Sequence, residues 1–359
     1  MKGDLKMFKK KFFLLSLLMS FLISLTGCTD DTWIAKDNTK SIPVGAYIYN
    51  LFVAYNDSFK TIMSNLNFDF NYKPENIFDE MIDGRNSVDW MKEKAITKCK
   101  NLFALDKKME ELGIALSDEE IAKAESATMA SWNSYKKSFQ TYGISKESYH
   151  LASSLYDVKY KCILDHIFGD NGSEKITDEQ IENYFKQKYT SYCYITRPLV
   201  SKEEDGKNSV LPDDKIAELE KKFNGYADSI NNNSNTYDKI LESYKKEEAI
   251  TNDPSIENVS DLSEYIGVPS IVISELKKLE NEKAVSIKSS DMSTLYLIYK
   301  KDINKEVGTE RYTMVKDNIT EVLKNQYMED MLKNLSDNLN IQINDSVVKK
   351  YHPAIFQTN

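Results

Sequence analysis

The chain has 359 residues, 47 of them basic and 56 acidic, for a formal net charge of −9. That length allows two domains, and the acidic balance excludes a nucleic-acid binder, whose phosphate contacts need a basic patch. Four cysteines with no C-x-x-C pair leave no basis for a disulfide framework or a zinc site.

Lys2, Lys6, Lys9, Lys10 and Lys11 make a basic start, and residues 12–25 are apolar apart from Ser16, Ser20 and Ser24. A run of this length falls short of the roughly 20 apolar residues a spanning helix needs. With small residues at its end it reads as a secretory signal. Leu25-Thr26-Gly27-Cys28 closes it and resembles the lipobox of bacterial lipoproteins. That resemblance implies a diacylglycerol on Cys28, which becomes the new N-terminus, and two acyl chains suffice for stable anchoring. Residues 1–27 are then a signal peptide and 28–40, polar and aperiodic, a tether on the extracytoplasmic face of the cell membrane. Their removal takes away five lysines and Asp4, so the chain from Cys28 carries −13.

Helical periodicity starts after Pro43, with Tyr47, Leu51 and Tyr55 on one side. Residues 65–85 are punctuated by Pro74 and Gly84, and a helix from Val88 stops at Gly113. Ser117-Asp118-Glu119-Glu120 is a capping box opening a helix to about Gln140. Tyr142-Gly143 stops it, Ser145 starts a helix over 146–168, and Thr177-Asp178-Glu179-Gln180 is a second box heading a helix through Tyr189.

The texture then changes. Residues 192–200 are aromatic and β-branched with Pro198, the pattern of an edge strand. A charged loop follows over 201–208, then helices over 212–231 and 236–248. Short helical turns are expected over 261–266 and 271–279, and strands over 285–288 and 293–299. A long helix runs from Glu310 to Leu339, with a short extended piece at 341–343 and a final turn capped by Asn344. The fold class expected is α+β, mainly α. A helical domain spans 41–189 plus 303–359, and a small α/β domain over 190–302 is inserted in it.

Cys99 and Cys162 lie on apolar helical stripes and read as small buried hydrophobes. His150, His166 and His352 have no partner at ligand spacing, so no metal and no cofactor are expected. Met109, Met129 and Met314 are candidates for an adaptable client surface.

The lipobox, then 112–121, 142–149, 176–185 and the closing 339–344, taken in this order and spacing, resemble the lipid-anchored parvulin-type foldases of bacteria. Their periplasmic chaperone relatives, of the trigger-factor and SurA-like kind, are similar too. The resemblance implies a helical chaperone domain, built from N-terminal helices and one returning C-terminal helix, with a parvulin prolyl-isomerase domain inserted. Parvulins carry one histidine on the first strand and one on the last. Here those positions fall on Tyr194 and Tyr296, and neither strand holds a histidine. The implied insert is a degenerate parvulin-like module with no catalytic residue assigned.

The leading expectation is a membrane-anchored chaperone or foldase that binds unfolded or newly secreted polypeptides, with weak or no isomerase activity and a possible homodimer. The alternatives are an active peptidyl-prolyl isomerase, with tyrosine hydroxyls in place of imidazoles, and a substrate-binding lipoprotein of a transporter.

Overall fold

A computed structural model describes residues 33–67, 73–202, 208–249, 254–264 and 266–357. The signal segment and the Leu25–Cys28 motif lie outside the described residues. In chain order the elements begin with strands β1 (Trp33–Lys36) and β2 (Ser41–Pro43), helix α1 (Val44–Asn65), and strands β3 (Met81–Ile82) and β4 (Arg85–Asn86). Helices α2 (Ser87–Leu112), α3 (Asp118–Tyr142), α4 (Lys146–Ala152), α5 (Ser154–Phe168) and α6 (Asp178–Lys188) follow. Then come β5 (Tyr189–Pro198), β6 (Val200–Lys202), β7 (Asn208–Val210), α7 (Asp213–Asn231), α8 (Tyr237–Glu247), β8 (Ser255–Asp261) and α9 (Ser270–Lys278). The chain closes with β9 (Lys283–Lys288), β10 (Thr294–Lys300), α10 (Glu310–Asn338), β11 (Gln342–Ile343) and α11 (Asp345–Lys350). The protein is α+β and mainly α.

The chain divides into two compact units. One takes in the described residues up to Asn56, with Val88–Asp165 and the segment from Leu332 onward; the other takes in Asp57–Ser87 and His166–Met331.

In the first unit, β1 pairs antiparallel with β2 and with β11, Ala35 facing Ile343. The expected tether is corrected here: residues 33–36 are a strand, because Ile34 and Ala35 are fully buried and need a paired backbone. The Asn344 cap is corrected too. Its side-chain amide donates to the Trp33 carbonyl at 3.0 Å, so it ties β1 instead of capping α11. The Ser117 box is present, with Glu120 reaching back to the Ser117 amide at 2.7 Å, and Gly143 at φ +83° ends α3 in the left-handed region. The helix expected over 146–168 breaks at Ser153, whose backbone is non-helical. Cys99 is buried and accepts from the Asn50 side-chain amide at 3.5 Å. Cys162 is half-buried and donates its thiol proton to Glu120 at 2.8 Å. His150 bonds the Thr128 hydroxyl at 2.8 Å. Met109 is buried, which removes it from any client surface, whereas Met129 is exposed.

In the second unit, β3 and β4 form a hairpin whose two-residue turn, Asp83-Gly84, has positive φ at both positions, as a type I′ turn requires. The Thr177–Gln180 box heads α6, whose Ile181 and Phe185 share a buried cluster with Val259, Tyr312 and Ile319. At the centre is a four-stranded antiparallel sheet in the order β8-β5-β10-β9. Residues alternate between its faces. Cys193, Ile195, Leu295 and Leu297 pack on α7 and α8 through Ile216, Phe223, Ile240 and Tyr244. Tyr192, Tyr194, Tyr296 and Ile298 pack on α9 through Val272, Ile273 and Leu276.

Strand β8 was not expected; its Ser-Ile-Glu-Asn-Val-Ser-Asp sequence is polar because it runs along the sheet's edge. The opposite edge is closed by a side chain. The Asn231 carboxamide donates to the Ala284 carbonyl at 2.9 Å and accepts from the Ala284 amide at 2.8 Å, as a neighbouring strand would.

Candidate functional site

The first and last strands of the four-stranded sheet in chain order, β5 and β10, are its two central strands and pair in full register, with Tyr194 facing Ile298 and Tyr296 facing Thr196. Two residues of offset keep the tyrosines on one face, as diagonal neighbours. Their ring centroids are 6.2 Å apart and tilted 53°. The chain thus brings together the two positions that the family resemblance singles out. Tyr192 adds a third ring, stacked on Tyr194 at 6.5 Å, and its hydroxyl lies 3.2 Å from that of Ser260. The signal for Tyr192 was in the sequence: Tyr192-Cys193-Tyr194 alternates with the strand period.

This face is filled. Tyr194 and Tyr296 are 3% and 8% exposed, held in one cluster with the α9 side chains Val272, Ile273 and Leu276. Burial, with Tyr192 and Tyr296 adding to it, pushes the Tyr194 phenol up to about 12. Tyr296 is raised as well, by burial and the nearby Asp291 carboxylate, against a hydrogen bond with Thr294. Both phenols therefore stay protonated near neutral pH. Each can donate one hydrogen bond and neither can take up a proton. The Tyr194 hydroxyl bonds no described residue. Prolyl isomerisation asks only that the amide be twisted out of resonance, over a barrier of about 18–20 kcal/mol. Lowering it requires room for the proline ring, and on this face Val272, Ile273 and Leu276 of α9 pack in one cluster with the two tyrosines.

A shallow polar depression lies on α7, lined by Ala217, Glu220, Lys221, Asn224, Gly225 and Asp228. It is on the other side of the sheet from the tyrosines. Among the described residues no cluster of histidine, cysteine and acidic side chains could hold a metal, and no helix is long and apolar enough to cross a membrane. Leu25, Thr26, Gly27 and Cys28 lie outside the described residues.

No protein-family model matches the chain, and no curated protein does. Among solved structures, it is similar to a foldase protein (PrsA) from Lactococcus lactis at 13% identity and a TM-score of 0.26, covering 91% of this chain and 98% of that one. PrsA from Bacillus subtilis is similar at 15% identity and a TM-score of 0.24, over 75% and 91%. At such identities and TM-scores the likeness carries no argument about activity.

Proposed function

We propose that the protein is an extracytoplasmic foldase of the chaperone kind, held to the cell membrane by lipid on Cys28, which shelters unfolded or newly secreted polypeptides. In this reading the inserted sheet is a parvulin-like module with weak or no isomerase activity. The observation that carries the reading is the Tyr194–Tyr296 pair: the two positions expected to hold histidines are side by side at the sheet's centre, filled by protonated phenols and covered by α9. An acidic chain with a lipobox supports a soluble body tethered outside the cytoplasm.

The chaperone half is tested by diluting a chemically unfolded protein into buffer with the soluble chain starting at Thr29, and following light scattering. Suppressed aggregation is expected; scattering equal to that without the chain would remove the reading. The anchor is tested by labelling cells with a palmitate analogue. The full chain takes the label and Cys28→Ala does not, and a labelled Cys28→Ala chain would refute lipidation there.

A further inference from the structure

Four residues separate Cys28 from Trp33, where β1 begins. The five Cα–Cα steps between them span about 18 Å at most. Strand β1 cannot peel away to lengthen that reach. It is paired on both edges, with β2 and with β11, and its Ile34 and Ala35 are fully buried. A lipid on Cys28 therefore holds the β1 end of the first unit within about two Debye lengths of the bilayer at physiological salt.

Lysines and aromatic rings gather at that end. Lys36 lies over the Trp33 ring at 4.2 Å. The Trp33 carbonyl accepts from the Asn344 side chain and the Ile34 carbonyl from the Asn344 amide at 2.9 Å, which docks the start of α11 on β1. A helix of six residues is only about 9 Å long, so Lys349 and Lys350 stay close to this contact. Both are exposed, and Lys350 lies over the Tyr351 ring at 5.5 Å. Lys36, Lys349 and Lys350 form no ion pair with a described residue. Nearby, the Asp37 carboxylate is taken up by the amides of Thr39 and Lys40, at 2.7 and 2.8 Å. A lysine beside a tryptophan or tyrosine suits the headgroup layer of a bilayer, with the ring at the apolar boundary and the ammonium among phosphates.

We propose that Trp33, Lys36, Lys349, Lys350 and Tyr351 seat the first unit on the anionic phospholipid surface to which the chain is anchored. The inference rests on the reading of Cys28 as lipid-bearing, and adds to it a second contact and an orientation. The chain from Cys28 carries −13, so an anionic surface repels most of the protein and turns this side toward itself. Asp30 and Asp31 of the linker, and Asp345 on α11, weaken the attraction. The anchor offsets this by making the contact intramolecular, at high effective concentration. Each lysine near the headgroups favours the seated state about fivefold, and salt weakens the contact.

Trp90→Phe with Trp132→Phe leaves Trp33 the only tryptophan and gives a probe of the contact. This chain, purified with its lipid, is reconstituted in phosphatidylcholine vesicles with or without phosphatidylglycerol, and Trp33 fluorescence is quenched by a nitroxide on the lipid headgroup. Strong quenching is expected with phosphatidylglycerol at low salt, falling at high salt and in phosphatidylcholine alone. Adding Lys349→Glu and Lys350→Glu, two exposed changes whose fold is checked by circular dichroism, should remove most of the quenching while the chain still floats with the vesicles. Quenching unchanged in that variant, or in phosphatidylcholine alone, overturns the proposal, because the short linker would then account for it. A chain that floats with the vesicles but is not quenched also overturns it, and leaves the anchor reading standing. A chain shown by mass spectrometry to carry no lipid on Cys28 removes the anchor and this proposal together.

Discussion

The ring centroids of Tyr194 and Tyr296 lie 6.2 Å apart on the same face of the two central strands of the four-stranded sheet. Both rings belong to an apolar cluster with Val272, Ile273, Leu276 and Ile298. Putting histidines at these positions should therefore not create an isomerase. The double variant Tyr194→His with Tyr296→His places two imidazoles in this apolar cluster, with Thr294 beside position 296 as a hydrogen-bond partner, at roughly 1–3 kcal/mol for each polar group left unsatisfied. A lower urea midpoint is expected, with no acceleration of proline-peptide exchange. A stable and active double variant would mean that the α9 side of the sheet is open.

Two other buried tyrosines in the same protein should respond in opposite ways to loss of the hydroxyl. Tyr47 is fully buried and its hydroxyl has no hydrogen-bond partner among the described residues, whereas the Tyr192 hydroxyl is paired with Ser260. Tyr47→Phe should leave stability unchanged or raise it, by up to about 1 kcal/mol. Tyr192→Phe should lower it by about 1 kcal/mol, since Ser260 loses its partner. Urea melts of the two variants check this, and equal losses would contradict the assignment.

Asn231 closes the β9 edge with two hydrogen bonds to Ala284. Asn231→Ala should cost about 1–3 kcal/mol and leave strand backbone open to pairing with other chains. The expected signs are a lower melting temperature and more aggregation on heating. Wild-type scattering at matched temperature would argue that the edge is guarded elsewhere.

Glu257 on β8 is ion-paired with Lys301 and with Arg311, the latter at 2.7 Å. Burial works to raise its carboxyl, but the hydrogen bonds and charges of these two partners outweigh it and hold the group below its usual value. A depressed folded value gives stability that is present above the unfolded pKa, about 4.3, and lost as pH falls through the folded one. Melting temperatures should thus fall from about pH 5 downward, and Glu257→Gln should flatten that acid limb. The effect should shrink in high salt, because the pair is partly exposed.

Local signals in the sequence were legible where the structure is local. Ser117 with Glu120, and Thr177 with Gln180, each satisfy backbone groups within one helical turn, and both boxes are present. The strands β5, β9 and β10 carry enough β-branched and aromatic side chains to be read directly. What escaped depended on partners far along the chain. Trp33–Lys36 is a strand because Ser41–Pro43 and Gln342–Ile343 flank it; the near partner is only three residues long, and four residues cannot announce the other, some three hundred away. Strand β8 escaped because an edge strand needs few apolar residues. At the candidate site, the missing histidines at Tyr194 and Tyr296 could be read from sequence. The closure over them could not, since it depends on where α9 packs.

The most direct test of the account is cis–trans exchange of a short proline peptide, followed by NMR, with the soluble chain starting at Thr29. The account predicts an exchange rate equal to that of the peptide alone, while the same preparation suppresses aggregation of an unfolded protein. Clear acceleration by wild type, abolished in Tyr194→Phe with Tyr296→Phe, would contradict it and make the two phenols an active isomerase site.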